Sequence, residues 1–259
     1  MKAGWIGFPK ETGDFWEAAA KYAQLGYRGM EGGDALLGKG NAKENVSRFN
    51  ELGLEVLTVS TSVEEVRDNV EAVIERAQLV GAKRATIWAG SVMYHDTPPT
   101  QKDFYKEIET MEAAATEFAK ENIKLCYHNH SQEFRICYDN VPAIDHMALN
   151  SQNLWFEIDV AWTNYAGFNP VAVLKRYASR LGAVHVKDYI AQEIMHGTHK
   201  IPVFTSLGTG VVDIVGALVC MKEIEMDWAI YEQDSLRHLN SLESMTQSYL
   251  YMKETGLVE

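Results

Sequence analysis

The chain has 259 residues, 46% of them hydrophobic and 23% charged, enough to bury a substantial core and too apolar for a disordered or fibrous chain. Its 24 Lys and Arg against 36 Asp and Glu leave a formal net charge of −12, and with no basic stripe to offset it this balance argues against nucleic acid as a partner. The longest apolar runs, such as 211–219, fall short of the roughly 20 residues of a membrane span, and the start Met1-Lys2-Ala3-Gly4-Trp5 does not resemble a signal peptide. Cys126, Cys137 and Cys220 are odd in number and widely spaced, which indicates neither a disulfide framework nor a zinc ribbon and points to a reduced, cytoplasmic chain.

Short β-rich runs alternate with longer amphipathic segments along the whole sequence, the pattern of βα units around a parallel sheet. Strands are predicted over 3–8, 27–31, 55–60, 84–89, 123–129, 154–159, 183–188 and 228–234. The spacing of apolar residues predicts helices over 14–25 and 63–79, with Gly26, Gly53 and Gly81 placed to end helical segments. Pro170 stands where a first helical turn begins, and Asn240 with Glu243 three residues on reads as a capping box. No linker or repeat divides the series, so one domain over 1–259 is expected. Eight strands each followed by a helix close most economically into an α/β fold of the (β/α)8 TIM-barrel type, with its site at the C-terminal ends of the strands. An open doubly wound sheet would favour a glycine-rich loop after the first strand, and Trp5-Ile6-Gly7-Phe8-Pro9-Lys10 lacks that pattern.

Polar residues gather at the predicted strand ends: Glu31 on the second, His128 and His130 on the fifth, Asp159 on the sixth, His185 on the seventh and Glu232 on the eighth. One such residue alone is more often a cap or a satisfied buried group. Several on neighbouring strands of a closed barrel converge, and carboxylates with imidazoles in a partly dry pocket are most simply reconciled by a divalent cation.

These residues lie in blocks that resemble the xylose-isomerase-like barrel family, the sugar phosphate isomerases and epimerases with their inosose dehydratase and ketose 3-epimerase relatives. The blocks are Tyr127-His128-Asn129-His130 with Glu133-Phe134, Ile158-Asp159 with Trp162, Val184-His185-Val186-Lys187-Asp188, Leu207-Gly208 with Gly210, and Tyr231-Glu232-Gln233-Asp234. The resemblance implies that Asp159, His185 and Glu232 ligate one metal ion, manganese foremost, with magnesium, cobalt or zinc as alternatives. Ketose 3-epimerases place a further glutamate on strand five, where this chain has Cys126. Glu133 is the fourth ligand expected to fold back, with His128 as its substitute. Cys126 and His128 alternate onto the same side of the strand, toward the barrel axis, but a lone thiolate is a poor match for such a site.

A hydroxy-ketone held by such a metal loses a C–H proton through an enediolate, and Glu232, His128 and His130 are the candidate bases. The implied activity is a sugar or cyclitol isomerase or epimerase. The alternative is a lyase performing β-elimination on a keto-sugar, keto-glycoside or inosose, with His130 or Lys187 protonating the departing oxygen. Lys187 is expected to reach substrate oxygens with Asp188 bracing it, or to form an ion pair at the strand end. Glu31 and Trp162 are further substrate-binding candidates, and Trp88, Trp5 and Phe8 are candidate apolar wall or core. Glu157 is expected deeper in the barrel, hydrogen-bonded. The long segment 189–207, with His196, His199 and Lys200, and the loop 91–100, with His95 and Asp96, are candidate rims. A DNA-repair endonuclease of the same family would need more ligands and a basic footprint, and a silent binding barrel would have a broken metal trio. The resemblance further implies a homo-oligomer or a complex with another subunit.

Overall fold

The computed structural model describes residues 1–6, 14–38, 40–94, 97–197, 199–236 and 239–259. Phe8, His95 and Asp96 lie outside them. Eight parallel strands form a closed barrel: β1 (Lys2–Ile6), β2 (Gly29–Glu31), β3 (Glu55–Thr61), β4 (Arg84–Ile87), β5 (Lys124–His128), β6 (Trp155–Asp159), β7 (Leu181–Val186) and β8 (Trp228–Tyr231). Each strand pairs with its neighbours in sequence, and β1 closes on β8 with Trp5 opposite Tyr231. All eight predicted strands are present. Helices follow every strand and cover the outside of the barrel, so one (β/α)8 unit accounts for the whole described chain.

Local signals set the helix boundaries. Asp14 caps the helix Phe15–Leu25 by accepting from the backbone N–H of Trp16 and Glu17, and Phe15, Ala18, Ala19 and Tyr22 place its apolar face inward. Gly26 ends it at φ +127°, against the Tyr249 hydroxyl, which an added Cβ would meet at 2.1 Å. Asn169 caps the helix Pro170–Tyr177 with Pro170 in its first turn, and Asn240 with Glu243 closes the expected capping box on Ser241–Glu254.

The core lies between the strands and their helices. Trp5 belongs to it: its ring packs against Tyr22, Tyr27 and Phe49, 1% exposed, so it serves packing and does not wall a pocket. The segment after β7 is not an irregular loop. It forms an antiparallel hairpin, Asp188–His196 with His199–Thr205, in which Ile194 faces Ile201 and His196 faces His199. Asp188 anchors its base, with Oδ1 accepting from the N–H of Tyr189 and Val212 and Oδ2 from those of Gly208 and Gly210. An added Cβ on Gly210 would meet Asp188 Oδ1 at 2.2 Å, which explains the glycine there. Among the described residues no helix is long and apolar enough to cross a membrane.

Candidate metal centre

Parallel register brings the chemistry together. His185 stands level with Asp159 on one side and with Ile230 on the other, and His128 stands level with Glu157. Glu232 follows β8 directly and continues its ladder by donating its N–H to Val186 O at 3.3 Å. One ligand atom from each of His128, Asp159, His185 and Glu232 lies within 4.8 Å of all the others, and the group is buried except for the partly accessible Glu232. Two imidazoles with two carboxylates suit manganese, cobalt or zinc better than a purely oxygen-ligated ion.

The structure brings His128, not Glu133, to the expected trio. Glu133 is fully buried, but its Oε1 accepts from the Tyr127 hydroxyl at 3.0 Å and its Oε2 from the His130 N–H at 2.8 Å. Its short helix, Gln132–Arg135, thus holds the end of β5 in place and directs this carboxylate to neighbours outside the cluster. Cys126 is buried two residues deeper than His128, with burial pushing its thiol well up, and belongs to no ligand grouping among the described residues.

Asp159 does two things. Its Oδ1 accepts from the Trp162 N–H at 2.8 Å and caps the short helix Val160–Tyr165. Its Oδ2 is buried and accepts no hydrogen bond. Such an atom costs stability unless something charged meets it, and this is the observation by which the site fits a cation. The Lys187 ammonium supplies part of that charge: it stands 3.3 Å from Asp159 Oδ2, 3.0 Å from Glu232 Oε2 and 2.6 Å from Asp234 Oδ1. Lys187 is 1% exposed, and its ammonium also faces the rings of Phe204 and Trp162. The expected brace, Asp188, does not touch Lys187. Successive residues on an extended strand point opposite ways, so Asp188 turns to the hairpin and Asp234 becomes the partner.

His185 is oriented from both ends. Its Nδ1 meets Glu232 Oε2 at 2.9 Å, and its Nε2 meets Glu31 Oε2 at 2.6 Å and Glu157 Oε1 at 3.2 Å. Glu157 is further held by the Thr86 hydroxyl at 2.8 Å, which matches the hydrogen-bonded role expected of it. Glu31 is fully buried beside His185, and its side chain also lines the cavity. A carboxylate on the far nitrogen of a ligating histidine fixes its tautomer and orientation. The sequence reading missed this arrangement, although the spacing of Glu157 two residues before Asp159 was its available signal.

Electrostatics follow from the packing. Burial opposes the charge on Glu232, but Lys187 and His185 outweigh it and hold the carboxyl well below its ordinary range. For Asp159 burial prevails over Lys187, and the carboxyl is raised. His130 is pushed well down, first by burial and then by His128 and Lys187, so its imidazole is neutral near pH 7. Its Nδ1 is buried without a hydrogen-bond partner, and its ring lies 4.9 Å from His128 and 5.3 Å from Trp162.

Of these groups His128, His130, His185 and Glu232 line a cavity of about 780 Å³, whose wall also includes Trp88, Met93, Ile194, His196, His199 and Ile201. The hairpin is therefore a wall of the site, as a rim role requires. His196 and His199 belong to no ligand grouping among the described residues.

Residues 19–254 match a family model described as a xylose isomerase-like TIM barrel. Among curated proteins, the inosose dehydratase of Geobacillus kaustophilus (strain HTA426) is 26% identical over 168 residues, 58% of this chain and 53% of that protein, so the match spans about half the length of that relative. A sugar phosphate isomerase/epimerase from Parabacteroides distasonis ATCC 8503 superposes with a TM-score of 0.81 at 15% identity, covering all of both chains. A solved IolI protein carrying a zinc atom superposes at 0.74 with 14% identity, over 98% of each chain. At such identities the structural likenesses establish the barrel fold.

Proposed function

The chain belongs to the xylose isomerase-like TIM-barrel family, and from that premise we propose that it is a divalent-metal-dependent isomerase or epimerase of a sugar or cyclitol, working by proton abstraction beside a carbonyl. The observation that carries this reading is the cluster of His128, Asp159, His185 and Glu232 with the Asp159 Oδ2 free of hydrogen bonds, three of the four residues lining the cavity. These four residues would hold the ion, be it manganese, magnesium, cobalt or zinc, and when bound it lowers the cost of negative charge developing on the substrate's carbonyl oxygen. Glu133 supports the end of β5 in this reading and is not a ligand.

The chain's own residues supply the rest. His130 lines the cavity with a neutral imidazole, suited to take the proton from carbon and to return it. Glu232, kept ionised by Lys187 and His185, is the second candidate for that work. Lys187 keeps its proton among the carboxylates and holds Asp159, Glu232 and Asp234 in place around the cluster. Trp162 packs beside His130 and supplies an apolar face for the ring. Cytoplasmic action and assembly into a homo-oligomer, or with another subunit, complete the reading.

A lyase reading is favoured by one observation: Glu133 is engaged by Tyr127 and His130, which leaves fewer groups to act on the opposite face of the reacting carbon. β-Elimination needs only one base, with Glu232 placed to serve as that base and His130 as the acid toward the leaving oxygen. Nuclear magnetic resonance of keto-sugars and keto-cyclitols in heavy water distinguishes the outcomes. Hydrogen exchange at the carbon beside the carbonyl is expected in both cases, with inversion of a centre in epimerisation and an unsaturated product in elimination. No exchange with any of them, in metal-loaded protein, would overturn the reading and favour a silent binding barrel.

The outer partners of His185 give a separate check. Glu31→Gln removes the charge facing Nε2 and is expected to weaken metal binding by about 10–100-fold, read as the affinity for manganese by calorimetry. An unchanged affinity would mean that Glu31 does not orient the ligand.

A further inference from the structure

The cavity is larger than a free sugar requires, and its described lining carries carboxylates but none of the basic side chains that a sugar phosphate would call for. Its volume is about 780 Å³; even at liquid water's share of about 30 Å³ per heavy atom, a hexose of about twelve heavy atoms fills less than half of it. The ligand cluster, His130 and Trp162 occupy the inner part. The outer part lies between Trp88 and Met93, which follow β4, and the hairpin, which presents Ile194, Ile201, His196 and His199. Among the described lining residues none is Lys or Arg. Cations stand behind the lining: Lys187 is already surrounded by Asp159, Glu232 and Asp234, and Arg84 lies 3.9 Å from Glu31. A phosphate dianion entering this cavity would meet Glu31, Glu157, Glu232 and Asp234 with no basic side chain among the described lining residues to offset them.

Resting on the function proposed above, we infer that the substrate is an uncharged keto-sugar or keto-cyclitol joined through oxygen to a second, apolar ring, and that Trp88, Met93, Ile194 and Ile201 form the subsite for that ring. Position and chemistry agree. The reacting ring sits on the polar floor, where imidazoles and carboxylates meet its oxygens. The appended ring leaves water for two isoleucines, a methionine and an indole, a gain proportional to the apolar area covered. The imidazoles of His196 and His199 stand at the hairpin tip, where ring nitrogens can meet the linking oxygen or a hydroxyl.

The test uses the intact, manganese-loaded protein and four probes: a keto-glucose, its methyl glycoside, its phenyl glycoside and its 6-phosphate. Affinity is measured by calorimetry and hydrogen exchange by nuclear magnetic resonance in heavy water. The phenyl glycoside is expected to bind at least about tenfold more tightly than the methyl glycoside, and the phosphate more weakly than the free sugar. Trp88→Ala and Ile194→Ser should each erase most of the phenyl advantage while leaving the affinities for manganese and for the methyl glycoside within about threefold; Ile194 is partly exposed and Trp88 49% exposed, so neither change opens the core. Equal affinity for methyl and phenyl glycosides, or tightest binding of the phosphate, overturns the subsite. Exchange at the reacting carbon with equal affinities would leave the catalytic reading standing and the subsite overturned. A phenyl preference that depends on Trp88 and Ile194, with no exchange in any probe, would support the subsite and overturn the catalytic reading.

Discussion

Lys187→Met is expected to destabilise the metal-free barrel by about 3–5 kcal/mol, the usual cost of removing one partner from a buried charge cluster. The side chain is 1% exposed, and its ammonium meets three carboxylates within 3.3 Å. Methionine fills much the same volume but leaves Asp159 and Glu232 facing one another without a cation. Divalent metal should restore much of the loss, because an ion held by His128, Asp159, His185 and Glu232 replaces the missing positive charge, and binding to the folded state alone stabilises it. The measurement is urea unfolding with and without manganese, wild type against variant. The metal-induced rise in midpoint is expected to be larger in the variant. Equal stability of the two metal-free proteins would mean that the lysine and its carboxylates contribute nothing net.

Asp159→Asn is expected to cost more metal affinity than the roughly 10–100-fold loss that follows removal of an outer hydrogen-bond partner of a ligand, and to abolish metal-dependent hydrogen exchange. The substitution is chosen because asparagine keeps the helix cap: its amide oxygen can still accept from Trp162 N–H in place of Asp159 Oδ1. It takes away the charge and the oxygen that accepts no hydrogen bond. The metal-free variant should therefore unfold at a urea concentration close to that of the wild type, since catalytic groups generally cost stability. Undiminished manganese binding in Asp159→Asn would show that Asp159 serves only as a cap, and the proposed centre would fall with it.

The barrel and the convergence of its strand ends were legible in the sequence because both depend on local periodicity. Short β-rich runs alternating with amphipathic segments leave few topologies, and each of the eight strands contributes a definite C-terminal end. Asp159, His185 and Glu232 could be placed together on that ground. So could His128, whose alternation with Cys126 sets its inward direction. The caps at Asn240 and the turn at Pro170 were equally local.

Glu133 was another matter. Seven residues separate it from Cys126, beyond the reach of strand alternation, and whether its carboxylate folds toward the cluster or toward Tyr127 depends on the path of the intervening turn. The same limit applies to Lys187. Its inward direction follows from the pleat, but Asp234 as its partner required the juxtaposition of β7 and β8. Asp188 could have been separated from Lys187 by alternation alone; its four backbone donors, gathered from 189 to 212, could not have been foreseen. The hairpin wall emerged only from the fold as well, since Ile194 opposite Ile201 depends on strand pairing across a register shift between Ile190 and Glu193. The sequence by itself determined the barrel, the direction of each strand-end side chain and the kinds of ligand available. Tertiary structure decided which carboxylate meets which cation and how much room lies above them, because long-range register and the competition among buried charges for partners are set by distances between strands, not along them.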